Sequence, residues 1–205
     1  MLACECRFPT RSGRKFMNAK VLVTVLVASA MFGCTPDWAK NGDAPVVLLM
    51  TGINDGNPLS SDVRLSNGVV CPDTVPVRVE NHFKNPSIAA TGFRHDFTIE
   101  RYEVRYFRSD GRNTEGVDVP YRISGNIATE IVEESASNLN VEVVRRQAKL
   151  EPPLANLTGA NPPVLTVFAE VTLHARTTTG QTTNAISGRL QIDFADFADT
   201  LKACP

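Results

Sequence analysis

The chain has 205 residues, with 21 Lys or Arg, 22 Asp or Glu and a formal net charge of -1, a length suited to one domain, or one domain plus a tail, with a real core. The first 33 residues hold Arg7, Arg11, Arg14, Lys15 and Lys20 against Glu5, which leaves 16 basic and 21 acidic residues in the other 172. A mildly acidic remainder with no basic stripe excludes the electrostatic footprint of a nucleic-acid binder, and with no polybasic patch any membrane attachment must come from another feature.

That feature lies near the amino terminus. Residues 21–33 (VLVTVLVASAMFG) form an uncharged apolar stretch behind Lys20 and the basic cluster. Its 13 residues fall short of the roughly 20 that a spanning helix needs. A basic lead, a short apolar core and small residues read as an export signal rather than a permanent anchor. The run Ala30-Met31-Phe32-Gly33-Cys34 resembles the lipobox of prokaryotic membrane lipoproteins, in which a small residue precedes the cysteine. The resemblance implies diacylglycerol on the Cys34 sulfur, cleavage between Gly33 and Cys34, and acylation of the new amino group. The thiol is the nucleophile, and small Gly33 lets a protease approach the scissile bond. Met31 stands where the family usually has leucine and Phe32 is bulkier than its usual residue, so the looser form of the motif is met. The alternative is an ordinary secretory signal cut elsewhere.

Two or three acyl chains would supply the stable anchoring that one chain cannot. Thr35, in place of aspartate, implies passage to the outer membrane by analogy with the sorting rule of enteric bacteria. Met17, followed by Asn18, Ala19 and Lys20, is a second candidate start that would give a signal of ordinary lipoprotein length. The expected organisation is a signal peptide over residues 1–33, a lipidated flexible tether over 34–45, and one β-sandwich domain over 46–205. The tether reading rests on Pro36, Gly42 and Pro45 among polar residues.

Of the five cysteines, Cys4 and Cys6 lie in the discarded segment and Cys34 carries the lipid, leaving Cys71 and Cys204. In an oxidising compartment such a pair is expected to bridge; the alternative is two free thiols.

The strands follow in order. Residues 46–51 (VVLLMT) give the first β-like run, and residues 52–68 a turn-rich stretch too polar for a core. Over residues 74–81, Val75, Val77 and Val79 alternate with polar positions, the period-two pattern of a strand with one wet face. Residues 97–108 place Phe97 and Ile99 in one phase and Tyr102, Val104 and Tyr106 in the other, which predicts a bulge near Glu100 and Arg101. A turn is expected at Ser109-Asp110-Gly111. The alternation of Val117, Val119, Tyr121 and Ile123 predicts a strand that Pro120 confines to a sheet edge. Ser124-Gly125-Asn126 reads as another turn, before two further runs over residues 127–132 and 139–148. Pro152-Pro153 and Pro162-Pro163 bracket a loop. Residues 164–177 form the longest strand candidate, with Leu165, Val167, Ala169, Val171 and Leu173 on one face. Thr179-Gly180-Gln181 is a hairpin turn into a last strand carrying Ile186, Leu190, Ile192 and Phe194.

Seven or eight strands at these spacings, with no helical period over three turns, make the fold class all-β, an antiparallel β-sandwich. The pattern resembles immunoglobulin-like or fibronectin-like domains in strand count alone, since the only tryptophan, Trp38, lies in the tether.

Candidate chemistry is sparse. His82, His95 and His174 have no second ligand at metal spacing. Asp110, Asn113, Glu115 and Asp118 share one loop and are oxygen ligands of the kind calcium takes, but without the order of the twelve-residue calcium loop; solvated acids in a hairpin loop are the expectation. Tyr102 and Tyr106 share one strand phase and are expected in the core, though tyrosines so spaced can also stack on a sugar ring. The doubled Phe-Ala-Asp of residues 194–199 reads as a strand end with its aromatics inward. No nucleophile elbow, phosphate loop, dinucleotide fingerprint or zinc-protease motif is present. The sequence therefore points to a non-catalytic, lipid-anchored envelope module without metal or cofactor, meeting membrane lipid through Cys34 and an unidentified protein or envelope partner. The rivals are a carbohydrate- or calcium-binding module using Tyr102, Tyr106 or the acidic loop, and a secreted hydrolase with a site assembled in space.

Overall fold

The structure, a computed structural model, describes residues 44–85, 94–158, 163–178, 185–197 and 203–204. Gly33, Cys34, the tether up to residue 43 and the hairpin turn at Thr179-Gly180-Gln181 lie outside the described residues. The described residues contain eight strands: β1 (Val46–Ile53), β2 (Leu59–Asp62), β3 (Asp73–Phe83), β4 (Phe97–Phe107), β5 (Ile123–Ile131), β6 (Ser135–Val144), β7 (Leu165–Thr177) and β8 (Ile186–Ala195). A one-turn helix, α1 (Arg146–Lys149), and a 3-10 turn over Leu154–Leu157 connect β6 to β7. None of the described helices is long and apolar enough to cross a membrane.

The strands form two sheets, β1-β3-β6 and β2-β8-β7-β4-β5, packed face to face as an all-β sandwich. Period-two burial builds the core between them. Val75, Val77 and Val79 of β3 and Val167, Ala169, Val171 and Leu173 of β7 are buried, while their chain neighbours face water. The sheets approach closely at Gly188, where an added β-carbon would lie 2.6 Å from the Met50 sulfur and 2.9 Å from Ile53 Cδ1. Pro76 is tolerated because it lies one residue past Val77, the last position of β3 that β1 pairs, so the strand is an edge there.

The expected bulge is present. β4 slips register between Ile99 and Arg101 against both of its neighbours, which turns Phe97 and Ile99, and then Tyr102, Val104 and Tyr106, to the same core.

The sheets are mostly antiparallel, as expected, with β2 running parallel to β8. Three other expectations need correction. The stretch 52–68, turn-rich and polar in sequence, contains β2, whose Ser61 is fully buried, and then buried Val63 and Leu65. Residues 117–122 do not form a strand: the Thr114 carbonyl accepts the amides of Val117, Asp118 and Val119, so those backbone groups are satisfied within the turn and Val117 and Tyr121 stand exposed. Gly125 does not turn the chain but lies inside β5, opposite Tyr102. A side chain there would run into the Tyr102 ring, so the glycine admits the aromatic.

A buried polar joint fastens the sheets to each other. Lys149, on α1, has a side chain only 1% exposed, and its ammonium lies 2.9 Å from Asp73 Oδ2 at the start of β3. The same oxygen accepts the Ser61 hydroxyl of β2 at 2.6 Å. Lys149 also donates to the Asp62 carbonyl at 2.7 Å. One ammonium thus holds an element from each sheet and the connection between β6 and β7. Two residues before Asp73, Cys71 is disulfide-bonded to Cys204, with Cα atoms 5.4 Å apart.

Removing one partner of a buried pair leaves an uncompensated charge, so Lys149→Met is expected to cost about 3–5 kcal/mol, read from the midpoint and slope of urea unfolding. Replacing both Cys71 and Cys204 by serine opens a loop of sequence separation 133, and chain entropy assigns that a loss of about 5 kcal/mol in the same assay under non-reducing conditions.

Candidate functional site

At one end of the sandwich the loop after β4 meets the segment entering β7 around an open groove of about 620 Å³. Arg108, Asp110, Val117, Asn156, Val164 and Thr166 are among its lining. Val117 and Val164 are exposed apolar members of that lining, at 67% and 59%. The acidic loop, whose alternative reading was a calcium site, is part of this rim, and its oxygens are engaged by neighbouring arginines and amides. Asp110 takes Arg108 Nη2 at 2.6 Å and Arg112 Nε at 3.0 Å. The hydrogen bond from Arg108 holds the Asp110 carboxyl far below the usual carboxylate range, and the same bond raises Arg108. Asn113 Oδ1 accepts the Arg108 amide at 2.7 Å, Asp118 accepts the Thr114 amide at 3.2 Å, and Glu115 pairs with Arg122 at 3.1 Å. These contacts shape a loop around arginines and local amides. They do not converge four oxygens on one point.

Tyr102 and Tyr106 are core residues, as expected, 8% and 6% exposed, which takes them from the sugar-stacking alternative. Tyr106 donates its hydroxyl to the Val143 carbonyl at 2.6 Å, and burial pushes its phenol far above the ordinary tyrosine range. Burial raises Tyr102 in the same direction.

The histidines are dispersed. His174 Nε2 is 3.5 Å from Glu103 Oε1. The His95 ring packs edge-on against Phe83 at 6.0 Å, while its amide donates to Glu133. His82 meets two carboxylates, with Nε2 3.1 Å from Glu80 and Nδ1 3.8 Å from Glu134. Glu134, at a positive φ of 52° in the β5–β6 corner, also accepts the Phe83 amide at 2.7 Å, so this cluster ties that corner to the end of β3. Among the described residues no group of three His, Cys, Asp or Glu side chains could hold a metal ion.

Ser61, Asp73 and Lys149 are a hydroxyl, an acid and an amine in contact, the kind of assembly that the hydrolase alternative needs. Their geometry fits a joint. Ser61 is 0% exposed and donates to the carboxylate, so it cannot present an oxygen to a substrate. In the doubled Phe-Ala-Asp tail, Phe194 is core and the Phe197 amide donates to Asp62 Oδ1 at 3.2 Å.

One surface cluster escaped sequence reading. On the outer face of the five-stranded sheet Phe107 stacks on Phe168 at 5.7 Å, and the Arg189 guanidinium lies 4.9 Å above the Phe107 ring. Both phenylalanines occupy the polar phase of their strands, and that displacement was the available signal. Cross-strand stacking with Phe168 and the cation–π contact with Arg189 occupy the Phe107 ring within the sheet and stabilise the strand pairing there.

No protein-family model and no curated protein matches the sequence. Among solved structures, the CooA pilin subunit of enterotoxigenic Escherichia coli aligns with 76% of this chain and 99% of its own at 12% identity, with a TM-score of 0.25. A likeness at that level bears on neither fold nor function.

Glu80 raises His82 above its ordinary 6.5, with Glu134 adding to the effect, and His82 in turn lowers Glu80 below its ordinary 4.5. A raised histidine contributes stability fully below 6.5 and loses it as pH rises through the folded value; a lowered carboxylate contributes above 4.5 and loses it as pH falls. The pair therefore stabilises most between those two values. A proton NMR titration should place His82 above 6.5 and move it down in Glu80→Gln.

Proposed function

We propose that this chain is a lipid-anchored, non-catalytic module of the bacterial cell envelope, exported by its amino-terminal signal, held by acyl chains on Cys34, and presenting the loops of a β-sandwich to a protein or envelope partner. The observation that carries the reading is the Cys71–Cys204 disulfide. Disulfides persist in oxidising compartments, which supports export. The bridge also accounts for two of the three cysteines from residue 34 onward and leaves Cys34 as the odd thiol, at the end of the short apolar stretch. The non-catalytic reading is supported by the groove, whose charged side chains are engaged with one another, and by a contacting serine, acid and amine sealed inside the joint. Thr35 favours the outer membrane. The sugar alternative loses its two tyrosines to the core.

Intact mass spectrometry of the membrane fraction tests the reading. The wild-type chain is expected to begin at Cys34 and to carry diacylglycerol and further acyl mass. Cys34→Ala should lose that mass and appear in the soluble fraction. An unmodified residue 34, or a mature chain beginning elsewhere, would reject it. Thiol alkylation with and without reductant in the same samples should show Cys71 and Cys204 blocked until reduced.

A further inference from the structure

Each sheet has two edges, and the four edge strands differ in how their open side is handled. β2 is four residues long, and the Asp62 carbonyl at its end receives Lys149. β5 faces a bulge, its Ser124 carbonyl takes a guanidinium nitrogen of Arg145, and its Ile131 carbonyl takes the Asn81 amide at 3.2 Å. β6 shifts register at its end, where the Val143 carbonyl receives Tyr106, and it carries Glu142. Short length, bulges, charges and capping side chains are the usual means by which proteins keep edge strands from pairing.

β1 is different. Its eight residues, VVLLMTGI, include no charge and no proline. It lies at the edge of its sheet and pairs with β3 alone. Its one bulge falls at Thr51 and leaves Val46 to Met50 in regular register. Among the described residues, no hydrogen bond links the β1 backbone to anything outside that ladder. Val47, Leu49 and Met50 are only half-buried. Such an edge is a template for strand addition.

We propose that β1 pairs with β1 of a second copy of this chain, antiparallel about a two-fold axis, so that the two three-stranded sheets become one six-stranded sheet. A two-fold contact uses the same surface on both partners, so length and polarity match by construction. An uncharged strand also brings no like charges opposite each other. Position in the chain adds to this. β1 begins twelve residues after Cys34, so anchoring at that cysteine would hold the β1 strands of neighbouring copies within about 40 Å of one bilayer surface, where effective concentration favours a two-fold pair.

The test uses the chain purified from the cell envelope, in detergent, across a concentration series. Sedimentation velocity should show a monomer–dimer equilibrium, and hydrogen exchange by mass spectrometry should slow over residues 46–53 as the dimer fills. Leu49→Lys places its ammonium beside Glu80, the cross-strand partner of Leu49 on β3, and should weaken the dimer about tenfold or more, since two copies would then bring like charges together. Ala136→Lys puts the same charge on β6, also opposite Glu80, and should leave the dimer unchanged. Far-UV circular dichroism and blocked thiols at Cys71 and Cys204 verify that both variants fold. A chain that stays monomeric with fast exchange over residues 46–53, or a dimer that responds equally to both lysines, would overturn the proposal. So would β1 protection that appears only with a different protein bound.

Discussion

The sandwich depends on one ammonium that has no access to water. Lys149 reaches Asp73 on the three-stranded sheet and the Asp62 carbonyl on the five-stranded sheet, while Ser61 shares the Asp73 oxygen. A buried charge is tolerated only when it is paired and its donors are used. Three constraints follow from that requirement: β3 must start where it does, β2 must lie against β8, and α1 must close over both. The last helical turn before the proline segment supplies the lysine, and the disulfide to Cys71 secures the chain two residues upstream of its partner. Polar joints of this kind add specificity that an apolar contact would not, since a slipped register would strand a charge.

The opposite end of the molecule is held by a different chemistry. There the β5–β6 corner is tied down by carboxylates that accept backbone amides: Glu134 from Phe83, Glu133 from His95, and Asp96 from Glu133. Asn81, buried among them, donates to the carbonyls of His95 and Ile131. Between these two polar ends the core is apolar, with Phe97 and Phe194 its largest fully buried side chains among the described residues, and the bulge in β4 lets one strand keep both of its apolar phases turned inward.

Alternation made most of this legible in the sequence. Strands β3, β7 and β8 each bury one phase, so their positions and faces could be read directly, and the two-phase apolar pattern around Glu100 announced its bulge. The failures share a cause. Pattern reading assumes that polar residues are wet and that turn residues turn, but Ser61 is buried because a lysine 88 positions away in sequence completes its network, and Gly125 serves ring clearance inside a strand. Val117, Val119 and Tyr121 show the converse: alternation arose in a loop where the amides of Val117, Asp118 and Val119 had already found the Thr114 carbonyl. The disulfide was foreseeable from cysteine arithmetic, but the joint was not, since nothing local to Lys149 marks it as buried.

The covalent link also divides the chain mechanically. Strands β3 to β8 fall inside the ring closed by Cys71 and Cys204, and of the described strands β1 and β2 lie outside it. A pull between the amino-terminal segment and Cys204 can peel the first two strands, but it cannot lengthen the enclosed part, whose sequence separation of 133 corresponds to roughly 450 Å of extended polypeptide. Loaded in that direction the molecule would yield a short, defined extension and then transmit the force through the sulfur–sulfur bond.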